Sequence, residues 1–127
     1  MAVTTLSAEI KAPFLNPAPA PAVNSLDINF TAPAVAVDGI DFVAQGNEII
    51  EIINTHATTA QTFTITSAAD DLGRTGDITT YSLAAGEATA LRLSTFGWAN
   101  ASTGKILITM SDVTVKVRVL RISGLVN

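Results

Sequence analysis

FTITSAADDLGRTGDITTYSLAAGE, residues 63 to 87, reads as two strands joined by a turn-rich connection. Phe63 and Ile65 alternate with Thr62, Thr64 and Thr66, which is the period-two pattern of a strand with one wet face, and the residues are the β-branched and aromatic types that suit a pleated surface. Asp70, Asp71, Gly73, Arg74, Gly76 and Asp77 follow. Glycine reaches positive φ without a steric penalty and aspartate bonds its own local backbone, so this run predicts a connection rather than a third strand. A second strand, Ile78 to Leu83, then enters the turn Ala84-Ala85-Gly86-Glu87.

Working outward, the same alternation of strand and turn signals recurs along the chain. Strands are predicted at Leu26–Thr31, Asn47–Asn54, Thr62–Thr66, Ile78–Leu83, Ala88–Leu93, Lys105–Met110 and Val113–Ile122. No amphipathic helix of ordinary length interrupts them. Short strands at regular spacing predict an all-β fold, a single antiparallel β-sandwich of jelly-roll-like type spanning residues 25–127. In the last strand Val113, Val115, Val117 and Val119 face one way and Thr114, Lys116 and Arg118 the other. The segment holding Ile49, Ile50, Ile52 and Ile53 is apolar on both faces, broken only by Glu48 and Glu51. Such a strand is either central and covered on both sides or part of a subunit contact.

All five prolines, Pro13, Pro17, Pro19, Pro21 and Pro33, fall in the first 33 positions. The run APFLNPAPAPAV from Ala12 to Val23 favours an extended polyproline-like path, because each proline fixes its own φ and restricts the residue before it. At about 3.1 Å per residue it spans roughly 40 Å. Residues 1–24 are therefore expected to form an extended Pro/Ala-rich arm. Phe14 and Leu15 favour docking of that arm, since burying each contributes about 1.5 to 3 kcal/mol.

The chain of 127 residues is one domain by size. Its hydrophobic fraction is 48% and its charged fraction 14%, a composition that points to surface covered by another protein in use. A net charge of −4 argues against a general nucleic-acid binder, which needs clustered Lys and Arg. The charge is also uneven. Asp38, Asp41, Glu48, Glu51, Asp70, Asp71, Asp77 and Glu87 face only Arg74 and Arg92 between Val35 and Gly104, whereas Lys105, Lys116, Arg118 and Arg121 cluster near the end with Asp112 alone against them. One end is thus expected to meet the opposite end of a neighbour. Without cysteine there is neither a disulfide framework nor a thiolate metal site. No secretory leader is evident and no apolar run approaches membrane-spanning length, so a soluble protein without membrane contact is expected.

Catalytic constellations are not found. His56 is the one histidine and sits in a turn, without the positioned partner that general-base work needs. Neither a nucleophile elbow nor a phosphate-binding glycine loop occurs. Asp70, Asp71 and Asp77 have oxygen ligands for calcium, but not at EF-hand spacing, and turn formation near Gly73 and Gly76 accounts for them. Trp98 and Tyr81 leave open a carbohydrate-binding module, although a lone tryptophan more often lies partly buried against the core. The expectation is a non-enzyme with no catalytic residue, cofactor or metal.

The segment GRTGDITTYSLAAGE (Gly73–Glu87), together with FGWANASTGKILIT (Phe96–Thr109) and VKVRVLRI (Val115–Ile122), resembles short virion proteins of tailed bacteriophages, and among them the capsid decoration, or cement, proteins. The resemblance covers roughly residues 45 to 122 and carries no catalytic or cofactor residue. It implies a small β-rich protein that binds the outer surface of an assembled head as a homotrimer and stabilises it, with the major capsid protein and other copies of itself as partners. In that frame, capsid or neighbour contact is assigned to Pro13, Phe14, Leu15, Pro17, Pro19 and Pro21, and the subunit interface to Ile50, Ile52, Lys116 and Arg118. A tail, fibre or baseplate component and a glycan-binding sandwich are the alternatives.

Overall fold

Residues 115–119 set the frame of the molecule: Val115, Val117 and Val119 are enclosed, and Lys116 between the first two is only half-buried. The computed structural model describes residues 2–11, 28–68, 72–73 and 75–122. Among these residues the chain forms no helix and nine strands: β1 (Thr4–Leu6), β2 (Glu9–Lys11), β3 (Ile40–Val43), β4 (Glu48–Asn54), β5 (Gln61–Ile65), β6 (Ile78–Leu83), β7 (Ala88–Leu91), β8 (Lys105–Met110) and β9 (Val115–Ile122). They make two sheets, one in the order β1-β3-β8-β5-β6 and one in the order β2-β9-β4-β7. The protein is an all-β sandwich. From β3 to β9 only the step from β5 to β6 stays within a sheet, and every other connection crosses to the facing sheet. That wrapping gives the sandwich its jelly-roll-like character.

The core lies between the sheets. Ile40, Phe42, Phe63, Ile65, Leu83, Ile106, Ile108 and Met110 come from the five-stranded sheet and meet Ile50, Ile52, Val115, Val117 and Val119 from the four-stranded one. Trp98 packs half-buried against this cluster. Gly39 marks a point where no other residue fits. Its φ is +79°, and a Cβ there would lie 2.2 Å from the Ile108 carbonyl oxygen, far inside contact distance. That close approach lets the loop from Val35 deliver the chain directly into β3.

Strands β6 and β8 have the expected bounds, and β4, β5, β7 and β9 fall within three residues of theirs. Of the strand expected at Leu26–Thr31, only Thr31 pairs, in an isolated antiparallel bridge with Val117; residues 26 and 27 lie outside the described residues. Strand β3 was not foreseen, being four residues long and interrupted by Asp41.

Of the residues 1–24 expected to form the arm, 2–11 are described. Thr4–Leu6 pairs with β3 and Glu9–Lys11 pairs with β9, both in parallel, so residues 4–11 close one side of the sandwich by adding an edge strand to each sheet. Parallel pairing is possible because the partners are remote in sequence and no tight turn joins them.

Candidate interaction surface

The β4–β9 ladder sets the outer face of the four-stranded sheet. Its register places Glu48 opposite Arg121, Glu51 opposite Arg118 and Ile53 opposite Lys116. Successive residues of a strand point to opposite faces, so the register that turns Ile50, Ile52 and Val117 inward turns Ile49, Glu51, Ile53, Lys116 and Arg118 outward. Ile50 and Ile52, assigned from sequence to a subunit interface, are 1% and 0% exposed within a single copy. That assignment is corrected: they are core residues, and the outward isoleucines are Ile49 and Ile53, both half-buried.

Arg118 is also not a free basic group. It is 6% exposed, and its guanidinium joins two carboxylates, Nη1 to Glu51 Oε1 at 2.9 Å and Nε to Glu9 Oε2 at 3.3 Å. Burying a cation on a sheet face is tolerable only with such partners. Arg121 pairs with Glu48 and donates to Asn47 Oδ1 at 3.0 Å, and Lys105 Nζ lies 3.9 Å from Asp41. Three of the four clustered bases are therefore neutralised within the chain, which removes most of the basic patch expected to meet a neighbour. Lys116 remains on the outer face, half-buried.

Glu48 itself is buried and anchors a turn, accepting hydrogen bonds from the Gln45 and Gly46 amides at 2.9 and 3.1 Å. Burial pushes its carboxyl up, but the Arg121 guanidinium and the two amides outweigh this and hold it below the ordinary glutamate value.

The outer face of the five-stranded sheet has a different character. Thr5, Asp41 and Leu107 stand in one row, Thr64 and Thr109 in the next, and Thr62 and Ser82 in another. Together with Val37, which is 77% exposed, Thr62, Thr64, Thr80, Thr109 and Ser111 line a shallow trough free of charge. Thr80 has φ +44°, unusual for a β-branched residue, at the irregularity in the β5–β6 pairing; its amide donates to Thr64 Oγ1 at 2.9 Å. That bulge bends the exposed edge of the sheet, a shape that discourages indiscriminate strand addition.

The remaining residues singled out from sequence have local duties. His56 Nδ1 accepts from the amides of Thr58 and Thr59, which makes it the anchor of its own turn. Asp77 accepts from the Ser67 amide and hydroxyl, and these bonds hold its carboxyl below the ordinary aspartate pKa. Asp70 and Asp71 lie outside the described residues, and among the described residues no three His, Asp or Glu side chains are grouped to hold a metal. Trp98, Asn100, Lys105 and Ser67 border a small open groove of about 190 Å³. Tyr81 is half exposed and tilts against Phe63, ring centroids 5.3 Å apart. Pro13, Phe14, Leu15, Pro17, Pro19 and Pro21 lie outside the described residues.

Sequence reasoning missed Glu9 and the paired state of Arg118. A signal for the second existed: Glu48 and Glu51 are three residues apart, as are Arg118 and Arg121, so one antiparallel register satisfies both pairs at once. Comparison with known protein families, characterised proteins and solved structures finds no match to this chain.

Proposed function

We propose that this protein is a non-enzymatic structural component of a tailed-phage virion, a decoration protein that binds the outside of the assembled head and stabilises it. The observation that carries the reading is the uncharged trough lined by Thr62, Thr64, Thr109 and Val37, in a chain whose Lys105, Arg118 and Arg121 are paired internally. Such a face suits contact with protein and does not suit phosphate. The resemblance of Gly73–Glu87 to virion proteins supplies the setting.

Magnitudes shape the mechanism. Five strands about 4.8 Å apart and about 20 Å long offer roughly 480 Å², short of the roughly 800 Å² per partner in a stable interface. One face of one copy thus binds weakly. Several copies held together multiply the contact, and a trimer at a threefold position acts as one multivalent clamp. Binding only the expanded lattice then stabilises that lattice by linkage. The assigned contacts at Pro13, Phe14, Leu15, Pro17, Pro19 and Pro21 would add area at low entropic cost, because proline limits the freedom lost on docking.

The test is location. Gold-labelled antibody against the purified protein, applied to virions of the encoding phage, should decorate heads, and the protein should sediment with emptied, expanded heads. Label confined to tails would replace the decoration role with a tail component, and absence from virions would end the virion reading. The groove beside Trp98 supports a second reading, glycan binding, because an indole together with polar groups such as those of Asn100 and Lys105 can hold a sugar ring. A Trp98 fluorescence titration with host-surface polysaccharide tests it.

A further inference from the structure

We propose that the free edge of β7 pairs with the same edge of a second copy of this chain, antiparallel across a two-fold axis at Ala90, so that two four-stranded sheets become one continuous sheet. This contact goes beyond the virion reading and does not depend on it.

Among the described residues the edge strands are β1 and β6 in one sheet and β2 and β7 in the other. An exposed edge invites strand addition, and proteins blunt it with short strands, charges, proline or bulges. Three of these edges are blunted in that way. β1 and β2 are three residues long, β2 carries Glu9 and Lys11, and β6 has the irregular register at Thr80. β7 has no such device: Ala88-Thr89-Ala90-Leu91 is uncharged, free of proline and in unbroken register with β4.

The backbone along that edge is set for a partner strand. The Asn54 amide donates to the Glu87 carbonyl, and in an antiparallel ladder the bonded pairs recur at every second residue. Thr89 and Leu91 therefore turn their amides to β4, while Ala88 and Ala90 turn theirs outward. Both alanines are exposed, and their small side chains let a second backbone approach. Thr89 and Leu91 stand opposite Ile52 and Ile50 on the core-facing side, yet are only half-buried. A two-fold at Ala90 sets Leu91 of one copy opposite Thr89 of the other, and each covers the other's open flank.

Charge selects a second copy as the occupant. Glu87 and Arg92 flank β7, both exposed, and neither meets an opposite charge among the described residues. Glu87 accepts from the Ala84 amide at 3.2 Å, and Arg92 Nη2 lies 3.5 Å from the Gly46 carbonyl oxygen. Five residues of extended chain hold them roughly 17 Å apart, too far to pair within one copy. The two-fold places Arg92 of one copy opposite Ala88 of the other, one residue from the Glu87 of that copy. The edge is self-complementary, with an acid and a base brought together at both ends. A single strand edge offers far less than the roughly 800 Å² per partner of a stable interface, so the association is reversible and concentration-dependent.

Sedimentation velocity of the full chain at low salt, over a series of concentrations, tests the contact. The parent should move toward twice the 13.1 kDa chain mass as concentration rises. Ala90→Pro removes only an outward amide, a change that edge strands tolerate. It should keep the parent's circular dichroism and dimerise about tenfold more weakly or worse. Arg92→Glu alone and Glu87→Arg alone each set like charges at both ends and should be monomeric, whereas an equimolar mixture of the two should regain the dimer. A parent that is monomeric throughout, an Ala90→Pro dimer as tight as the parent's, or a mixture no more associated than its components overturns the proposal.

Discussion

Glu51 and Arg118 stand directly opposite each other across the β4–β9 ladder with their charged atoms 2.9 Å apart, on the outer face of a sheet whose inner face is isoleucine and valine. The pair locks register. A one-residue slip of β9 would turn Arg118 into the core and Val115, Val117 and Val119 out of it.

Removing only the cation from this pair should therefore be more harmful than removing the whole group. Arg118→Met leaves Glu51 without the guanidinium opposite it, and about 2 to 3 kcal/mol of stability should be lost in urea unfolding. The triple change Arg118→Met, Glu9→Gln, Glu51→Gln should recover at least half of that. Equal losses in both proteins would show that the carboxylates do not depend on Arg118.

Gly39→Ala should be among the most damaging single-methyl additions. The strained φ and the 2.2 Å approach to the Ile108 carbonyl act together, and a loss of about 3 kcal/mol or more is expected. Gly73→Ala provides the contrast. Its φ is also positive, at +74°, but nothing lies within 4 Å of the added carbon, so about 1 kcal/mol should be lost. Thermal unfolding of the two variants separates the steric part from the conformational part.

Asn54 is completely buried and its side chain makes three hydrogen bonds, donating to the Thr59 carbonyl at 3.0 Å and the Leu83 carbonyl at 2.9 Å and accepting from the His56 amide at 2.9 Å. Asn54→Ala should cost about 2 to 4 kcal/mol through the groups left unpaired. Hydrogen exchange should accelerate first at the His56 and Gly86 amides, because Gly86 donates to the Asn54 backbone carbonyl.

Acid should weaken the fold through Glu48. Its folded value lies below the ordinary 4.5, so its contribution is fully present above about pH 5 and is lost as pH falls through the folded value. The Glu48→Gln variant should be less stable than the parent at pH 7 and should lose less between pH 5 and pH 3. Parallel stability curves for the two proteins over that range would contradict the assignment of the acid transition to this carboxylate.

The strands legible from sequence are those whose pattern is self-contained. Ile78–Leu83 and Lys105–Met110 are bounded by turn residues on both sides and have the predicted limits. β1 and β2 were hidden because three residues carry no period, and their partners lie 36 and 111 residues away. Period-two alternation divided the isoleucines into two faces but did not say which face is inside. That choice belongs to the register with Val115, Val117 and Val119. The charge imbalance was visible as composition, while its internal cancellation needed the ladder that brings Glu48 and Glu51 to Arg121 and Arg118.

The position of β9 bears on when the protein can fold. As the last strand of the described chain it is the bridge between β2 and β4, so the four-stranded sheet has no centre until β9 leaves the ribosome. Until then the core lacks Val115, Val117 and Val119. Contacts this distant in sequence also close slowly. Until then Ile50, Ile52 and the unpaired β2 depend on dilution or on chaperones to stay out of other chains.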